Sequence, residues 1–531
     1  MILISGGTIV DGTGKPAYQG DVLVDGDRIR EVRPSADHRP KSSPGDEVID
    51  ATGLVVSPGF IDAHTHSDAY LVLEPSAPSK VTQGVTTEIN GQCGGSAAPR
   101  YGEARLSSDW AALLGERLCW RSLAEYRAVL EAARPAVNTV QFVGHNTLRS
   151  SVVGYAARAA TADERREMER LLAQALDEGG WGLSTGLIYQ PGRYSTPDEV
   201  TALARVAAAR GGFYATHMRS EGDRILESID EVLSLVRTTG IRAEISHLKT
   251  GGRENWHKID AVLAKMERAV AAGELLGSDR YPFCAAGTDL DIVLPDWAQE
   301  GAAPAEMARL ADPTLRSRIV AEIDAQPRDW STVMIGGTWS AESKPYSGRT
   351  IAEILSSRPT ASKPLTPGEL ICGILASDGC KTGGFFFTMN ERNLERILAE
   401  PWIVPGSDAS LRAPWGPLGA DHPHPRAYST MPEFYRRLTA GPSPLATREE
   451  AVARMTRVPA ERFGIRSRGV LAKGAFADIA VWSERDFAGR ATYTQPHQFA
   501  AGVACVIVNG AITWRDGAFS GLRSGRFLER A

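Results

Sequence analysis

The chain has 531 residues, 43% hydrophobic and 23% charged, with a formal net charge of −5, which is ample material for a large soluble core. No Lys/Arg run is long enough to follow a phosphate backbone and no basic face is interleaved with aromatics, so a small ligand is expected rather than nucleic acid. No apolar stretch reaches the ~18 residues of a membrane span, Met1-Ile2-Leu3-Ile4 lacks the regions of a signal peptide, and six cysteines are too sparse for a disulfide framework, so reduced thiols in a cytoplasm are expected.

Residues 1–55 alternate short β-rich runs with Asp-Gly turns at Asp11-Gly12 and Asp25-Gly26. Residues 466–531 repeat the pattern around Asn509-Gly510 and Asp516-Gly517. The two ends are therefore expected to build one small β-sandwich domain beside a central region 56–465. Within that region eight strand-like runs are predicted at 60–63, 85–89, 139–143, 181–184, 212–216, 243–246, 275–279 and 402–406. They alternate with helical patterns at 160–176, 198–209, 223–238 and 256–272. That alternation predicts an α/β fold of parallel βα units, and eight strands close a (β/α)8 TIM-like barrel. Far more residues separate runs seven and eight than one helix needs. They predict a lid insertion at about 284–386 over the barrel mouth.

The residues that can carry chemistry fall at the C-terminal ends of these runs, where such barrels place their active sites. Gly59-Phe60-Ile61-Asp62-Ala63-His64-Thr65-His66 ends the first run with histidines at i and i+2. On a strand both imidazoles face one side and can share a metal ion, a pattern that two partly buried histidines at a strand end also give. Cys93 follows the second run, His145 the third, His217 the fifth, His247 the sixth and Asp408 the eighth. The chain holds only ten histidines, so His64, His66, His217 and His247 together at strand ends point to a metal site. Cys93 reads as a thiolate ligand or as a small buried hydrophobe beside a glycine-rich turn. Asp408 reads as a proton acceptor and donor, or as the cap of the next helix.

Taken together, the His64-Thr65-His66 run, Asn90-Gly91-Gln92-Cys93-Gly94-Gly95, Gly182-Leu183-Ser184-Thr185-Gly186, Thr216-His217-Met218-Arg219-Ser220-Glu221, Ser246-His247-Leu248-Lys249, Gly406-Ser407-Asp408 and His422-Pro423-His424-Pro425-Arg426 resemble the D-aminoacylases. These are N-acyl-D-amino-acid deacylases of the amidohydrolase superfamily, and the resemblance runs almost end to end. It implies zinc-dependent hydrolysis of the amide of an N-acyl-D-amino acid by a metal-bound hydroxide, with Asp408 as general acid/base, releasing a carboxylate and a free D-amino acid. It also implies that Cys93, His217 and His247 hold one tight zinc, and that His64 and His66 form a weaker second site sharing Cys93. A soft sulfur with two imidazoles and an open position suits Zn2+. Gly182–Leu187 holds no lysine to be carbamylated as a metal bridge, and Cys93 takes that role by resemblance.

By the same resemblance, Lys249, Tyr281 and Tyr189 bind the substrate α-carboxylate, and Met389 lines the side-chain pocket. An ammonium and two phenols suit a carboxylate, although a snorkelling lysine and two rim tyrosines have the same sequence. His145, Arg219, Glu221 and Arg426 read as supporting or salt-bridge residues. Cys284, Asp289 and Asp291 depart from the family pattern. Two other readings stay open: a cyclic-amide hydrolase of the hydantoinase or dihydroorotase kind, against which the missing lysine counts, and a catalytically silent barrel scaffold, against which the full ligand set counts. Oligomeric state and preferred side chain carry no signal in the sequence.

Overall fold

Val85–Asn90 is buried on both faces along its whole length, as a strand in a parallel sheet covered by helices must be. The computed structural model describes residues 1–34, 46–102, 104, 108–357 and 364–530; parts of the expected 1–55 and 284–386 regions, and residue 531, lie outside the described residues. Each of the eight predicted runs is occupied by strand. They are Phe60–Asp62, Val85–Asn90, Asn138–Gln141 with Val143–Gly144, Gly182–Gly186, Phe213–His217, Arg242–Ile245, Leu276–Arg280 and Ile403–Pro405. The first three positions pair in parallel, and Val143–Gly144 starts a second parallel sheet that runs in chain order to Ile403–Pro405.

Hydrogen bonds join the two sheets at both edges. Only Phe142 separates the halves of the third run, and Trp181 N donates to Gln141 O at 2.8 Å. At the other edge Ala63 N donates to Pro405 O at 3.0 Å and Asp408 N to His64 O at 2.8 Å, while Thr65 bridges Ala409 in parallel. The first and last strands are thus neighbours, which brings His64 and His66 beside Asp408.

The helices Ala162–Asp177, Pro197–Ala209, Ile225–Thr239 and Ile259–Ala271 lie where the periodicity predicts them. Thr161 and Glu164 form a capping box, Thr196 caps a helix that starts at Pro197, and Gly240 ends another in the left-handed conformation. Their buried faces, including Leu172, Leu203, Ile229 and Val262, join the largest apolar cluster.

The terminal segments form one nine-stranded sheet, in which Val55–Pro58 pairs antiparallel with Ile479–Trp482 and so stitches the two ends together. Asn509 and Gly510 have φ of 44° and 76°, the left-handed pair that a tight hairpin requires between Val503–Val508 and Ala511–Arg515. Inside the expected insertion, Ala286–Asp289, Val333–Ile335 and Gly383–Phe386 make a small antiparallel sheet, covered by Ala302–Ala311, Pro313–Asp324 and Pro367–Asp378. It has a separate apolar core around Leu290, Ile319, Ile335 and Ile371.

Lys80 locks the seam between the first and last strands. Its fully buried ammonium lies 2.8 Å from Asp62 Oδ2 and 3.2 Å from Glu88 Oε1, and donates to Ser407 Oγ at 2.9 Å and Ala409 O at 3.1 Å. Lys80→Met strips the cation from two buried carboxylates and is expected to cost about 3–5 kcal/mol, read from urea denaturation. A loss below about 1 kcal/mol would contradict this account of the seam.

Candidate metal centre

Strand ends deliver the ligand-type side chains to one point. Cys93 stands on a turn just after Val85–Asn90, and that turn presses on the end of Gly182–Gly186 so closely that a Cβ on Gly186 would lie 2.1 Å from Cys93 O. A glycine is therefore required there. Cys93, His247 and Asp408 have φ of 51°, 39° and 49°, a left-handed backbone that non-glycine residues adopt only where surrounding contacts enforce it. His247 N donates to Asp279 Oδ1 at 2.9 Å, and Ser407 N to Asp62 Oδ1 at 2.8 Å, which are contacts of that kind.

Cys93 Sγ lies 3.3 Å from His64 Nε2, 3.4 Å from His247 Nε2 and 3.8 Å from His217 Nδ1. Tetrahedral zinc, with Zn–S of about 2.3 Å and Zn–N of about 2.05 Å, sets sulfur and nitrogen roughly 3.6 Å apart. The observed spacings bracket that value, so the donor set fits the ion. Asp408 Oδ1 is 3.4 Å from His64 Nε2 and 3.1 Å from His66 Nε2. His64, Cys93, His247 and Asp408 thus form one mutually adjacent set, and His217, Glu221 and His247 a second.

A second layer fixes the rings. Asp279 Oδ2 meets His64 Nδ1 at 3.2 Å, which turns Nε2 toward Cys93. Glu221 bridges His217 Nε2 at 3.3 Å and His247 Nδ1 at 2.9 Å, so each imidazole presents its other nitrogen to the sulfur. Arg426 Nη1 pairs with Asp408 Oδ2 at 2.8 Å.

Charge follows this geometry. Burial opposes a thiolate at Cys93, but His64 and His247 hold its pKa well below that of an ordinary thiol. Burial likewise opposes a charge on Asp408, yet Arg426, His247 and the hydrogen bond with His66 keep it well below the usual carboxylate range. His66 and His217 are raised to about 9 against burial, the first by Asp408 and Cys93, the second by Glu221 and Cys93. The metal-free centre therefore holds protons that ligation must displace. Raised imidazole pKa values mean protonated rings below about pH 9, so zinc affinity should climb with pH by roughly tenfold per unit per displaced proton and level off near 9. Zinc titration calorimetry in buffers of different ionisation enthalpy checks this, and an affinity flat between about pH 6.5 and 8.5 would contradict it.

The cluster walls a cavity of about 470 Å³, lined also by Tyr189, Thr288, Phe385 and Arg426. His66, Cys93 and Asp408 line it, with His64, His217 and His247 packed directly behind. Among the four expected substrate residues, only Tyr189 reaches its wall. Lys249 Nζ sits 2.5 Å from Glu221 Oε1 and 2.7 Å from His247 Nδ1, behind the wall. Tyr281 is fully buried, its ring under the guanidinium groups of Arg280 and Arg426 and its hydroxyl without a hydrogen-bond partner among the described residues. Met389 packs its sulfur 3.0 Å from Arg280 Nη2 and does not line the cavity.

Sequence reasoning passed over Asp279 and gave Glu221 and Arg426 only supporting roles. The available signal for Asp279 was a charged pair, Asp279-Arg280, at the end of a strand that is buried along its whole length. Nothing local marks Glu221 as a bridge between two strand ends.

A sequence model of the Amidohydrolase family matches residues 47–514. Over its full length the chain is 35% identical to an N-acyl-D-glutamate deacylase of Alcaligenes xylosoxydans xylosoxydans, covering 96% of that protein. It also superposes, with a TM-score of 0.81 and 33% identity, on a D-aminoacylase described by the functional role of its binuclear metal center, covering 100% of this chain and 99% of the other. An N-acyl-D-glutamate deacylase from Bordetella bronchiseptica, complexed with zinc and a phosphonate mimic of the tetrahedral intermediate, matches with a TM-score of 0.81 and 32% identity over 100% and 99% of the two chains.

Proposed function

This chain belongs to the amidohydrolase family, and from that premise we propose that it is a zinc-dependent deacylase that hydrolyses N-acyl-D-amino acids to a carboxylate and a free D-amino acid. The observation that carries this reading is the Cys93 sulfur within 3.8 Å of three imidazole nitrogens, next to the Asp408 carboxyl group at the wall of a cavity. The two parallel sheets are read as one (β/α)8 barrel, and the terminal sheet as a separate small domain. Cyclic-amide hydrolases share the fold, but residues 182–187 offer no lysine between the metals.

Cys93, His217 and His247 are the residues that would hold the tight zinc; His64 and His66, with Cys93, would form the second site. When bound, zinc polarises the amide carbonyl and lowers the pKa of the attacking water. Asp408 takes the proton from that water and hands it to the departing amine nitrogen. Arg426 keeps the carboxylate ionised and aimed, so it is free to accept. Glu221 and Asp279 hold the imidazoles in the tautomer that faces the sulfur. No covalent acyl-enzyme is needed, and Cys93 acts as ligand rather than nucleophile.

The amino-acid half of the substrate is assigned to the side of Tyr189, which follows the fourth strand and lines the cavity. A charge contact to the free α-carboxylate is worth about 1.5–3 kcal/mol, so amidating that carboxylate should lower kcat/KM by roughly 10- to 150-fold in the wild type. A wild type that hydrolyses the blocked substrate as fast as the free acid would contradict the substrate assignment.

A further inference from the structure

Beside the catalytic cavity lies a second one of about 300 Å³, and the two share Tyr70, Trp339, Arg412 and Asp421 as a common sill. Its remaining wall is mainly apolar, with Leu113, Pro417 and Leu418 beside the polar Thr338, Ser340 and Lys344. Three segments distant in sequence meet there, and Lys344 Nζ ties the insertion to the loop at Ala420 O. Trp339, 43% exposed at this junction, leaves a large aromatic face toward solvent, which an apolar ligand would cover.

The sill has a known position relative to the chemistry. Tyr70 follows His66 by four residues and Arg412 follows Asp408 by four, so both lie on the side of the first and eighth strand ends. Tyr189, assigned to the amino-acid half, follows the fourth. A scissile carbonyl held at the Cys93 cluster between these two sides must send its acyl substituent toward Tyr70 and Arg412. The sill presents no unpaired charge to that substituent: Arg412 Nε lies 3.1 Å from Asp421 Oδ2, and its guanidinium stacks 4.6 Å over the Tyr70 ring. A methylene chain can cross such a surface, whereas a carboxylate gains nothing there.

We infer that the second cavity is an acyl-chain subsite, and that this protein prefers N-acyl-D-amino acids whose acyl group is a medium-length alkyl chain over N-acetyl ones. The inference rests on the deacylase reading and its placement of the amino-acid half. Each methylene buried in the subsite should raise kcat/KM by up to about fourfold.

The test uses the zinc-loaded wild type and one D-amino acid carrying acetyl, butanoyl, hexanoyl or octanoyl groups. The hexanoyl substrate is expected to exceed the acetyl one in kcat/KM at least about tenfold, mostly through KM. Ala341 is exposed, so Ala341→Trp narrows the cavity without disturbing a core. In that variant the hexanoyl-to-acetyl ratio should fall about tenfold or more. A flat or falling series in the wild type, or a ratio unchanged by Ala341→Trp, overturns the subsite. If the acetyl substrate is still hydrolysed, the deacylase reading stands without it; if no chain length is hydrolysed, both fall together.

Discussion

Cys93→Ala is expected to abolish tight zinc binding and with it activity, by at least about 1000-fold in kcat/KM, because about 4 kcal/mol of charge stabilisation leaves with the ion. The sulfur is the one donor common to His64, His217 and His247, at 3.3, 3.8 and 3.4 Å. Its removal leaves three imidazoles that Glu221 and Asp279 still orient but nothing holds at ligand spacing. His217→Ala and His247→Ala should behave alike. His64→Ala should spare most of the tight zinc, because His64 is assigned to the second site, yet still slow turnover. Metal analysis after dialysis, alongside activity, separates these outcomes. Stoichiometric zinc in Cys93→Ala would remove the sulfur from the ligand set.

Asp408→Asn should lower kcat by at least about 100-fold, the lower end of what a general acid/base contributes, while the protein still folds and keeps its tight zinc. The amide matches the carboxylate in shape and can still accept from Arg426 through one oxygen, but it cannot take a proton. Since Arg426, His247 and His66 hold the Asp408 pKa well below the usual carboxylate range, its protonation should not limit the rate near neutral pH. The sign is that of a depressed carboxylate: its ionised form is present above the folded pKa and is lost only in strong acid. Activity within a factor of a few of wild type would make Asp408 a structural cap and send the search for the base elsewhere.

The strands and the centre of the site were legible because their signals are local. A run such as Val85–Asn90 carries its own β-propensity, and a residue just past its end is carried to the C-terminal edge of the parallel strands wherever the rest of the chain goes. That is why His64, His66, Cys93, His217, His247 and Asp408 could be named from spacing and resemblance, and why they converge. The second layer was not legible, because it depends on distances between strands. Glu221 lies four residues after His217, but its other imidazole partner is on the next strand. Asp279 reaches back to His64 across the sheet seam, and Lys80 closes that seam from a short helix with no motif of its own. Met389 and Lys249 illustrate the opposite limit. Position along the chain placed them near the substrate, whereas the packing turns Met389 to Arg280 and Lys249 to Glu221. The second cavity draws on residues near 113, 339–344 and 412–421, a juxtaposition that only the folded chain creates.

Release of free amino acid from matched N-acetyl-D- and N-acetyl-L-amino acids, by protein carrying one equivalent of zinc, tests the central claim most directly. Zinc-dependent release is expected from the D series, little from the L series, and no opening of hydantoin or dihydropyrimidine rings. Ring opening without hydrolysis of any linear N-acyl-D-amino acid would contradict it.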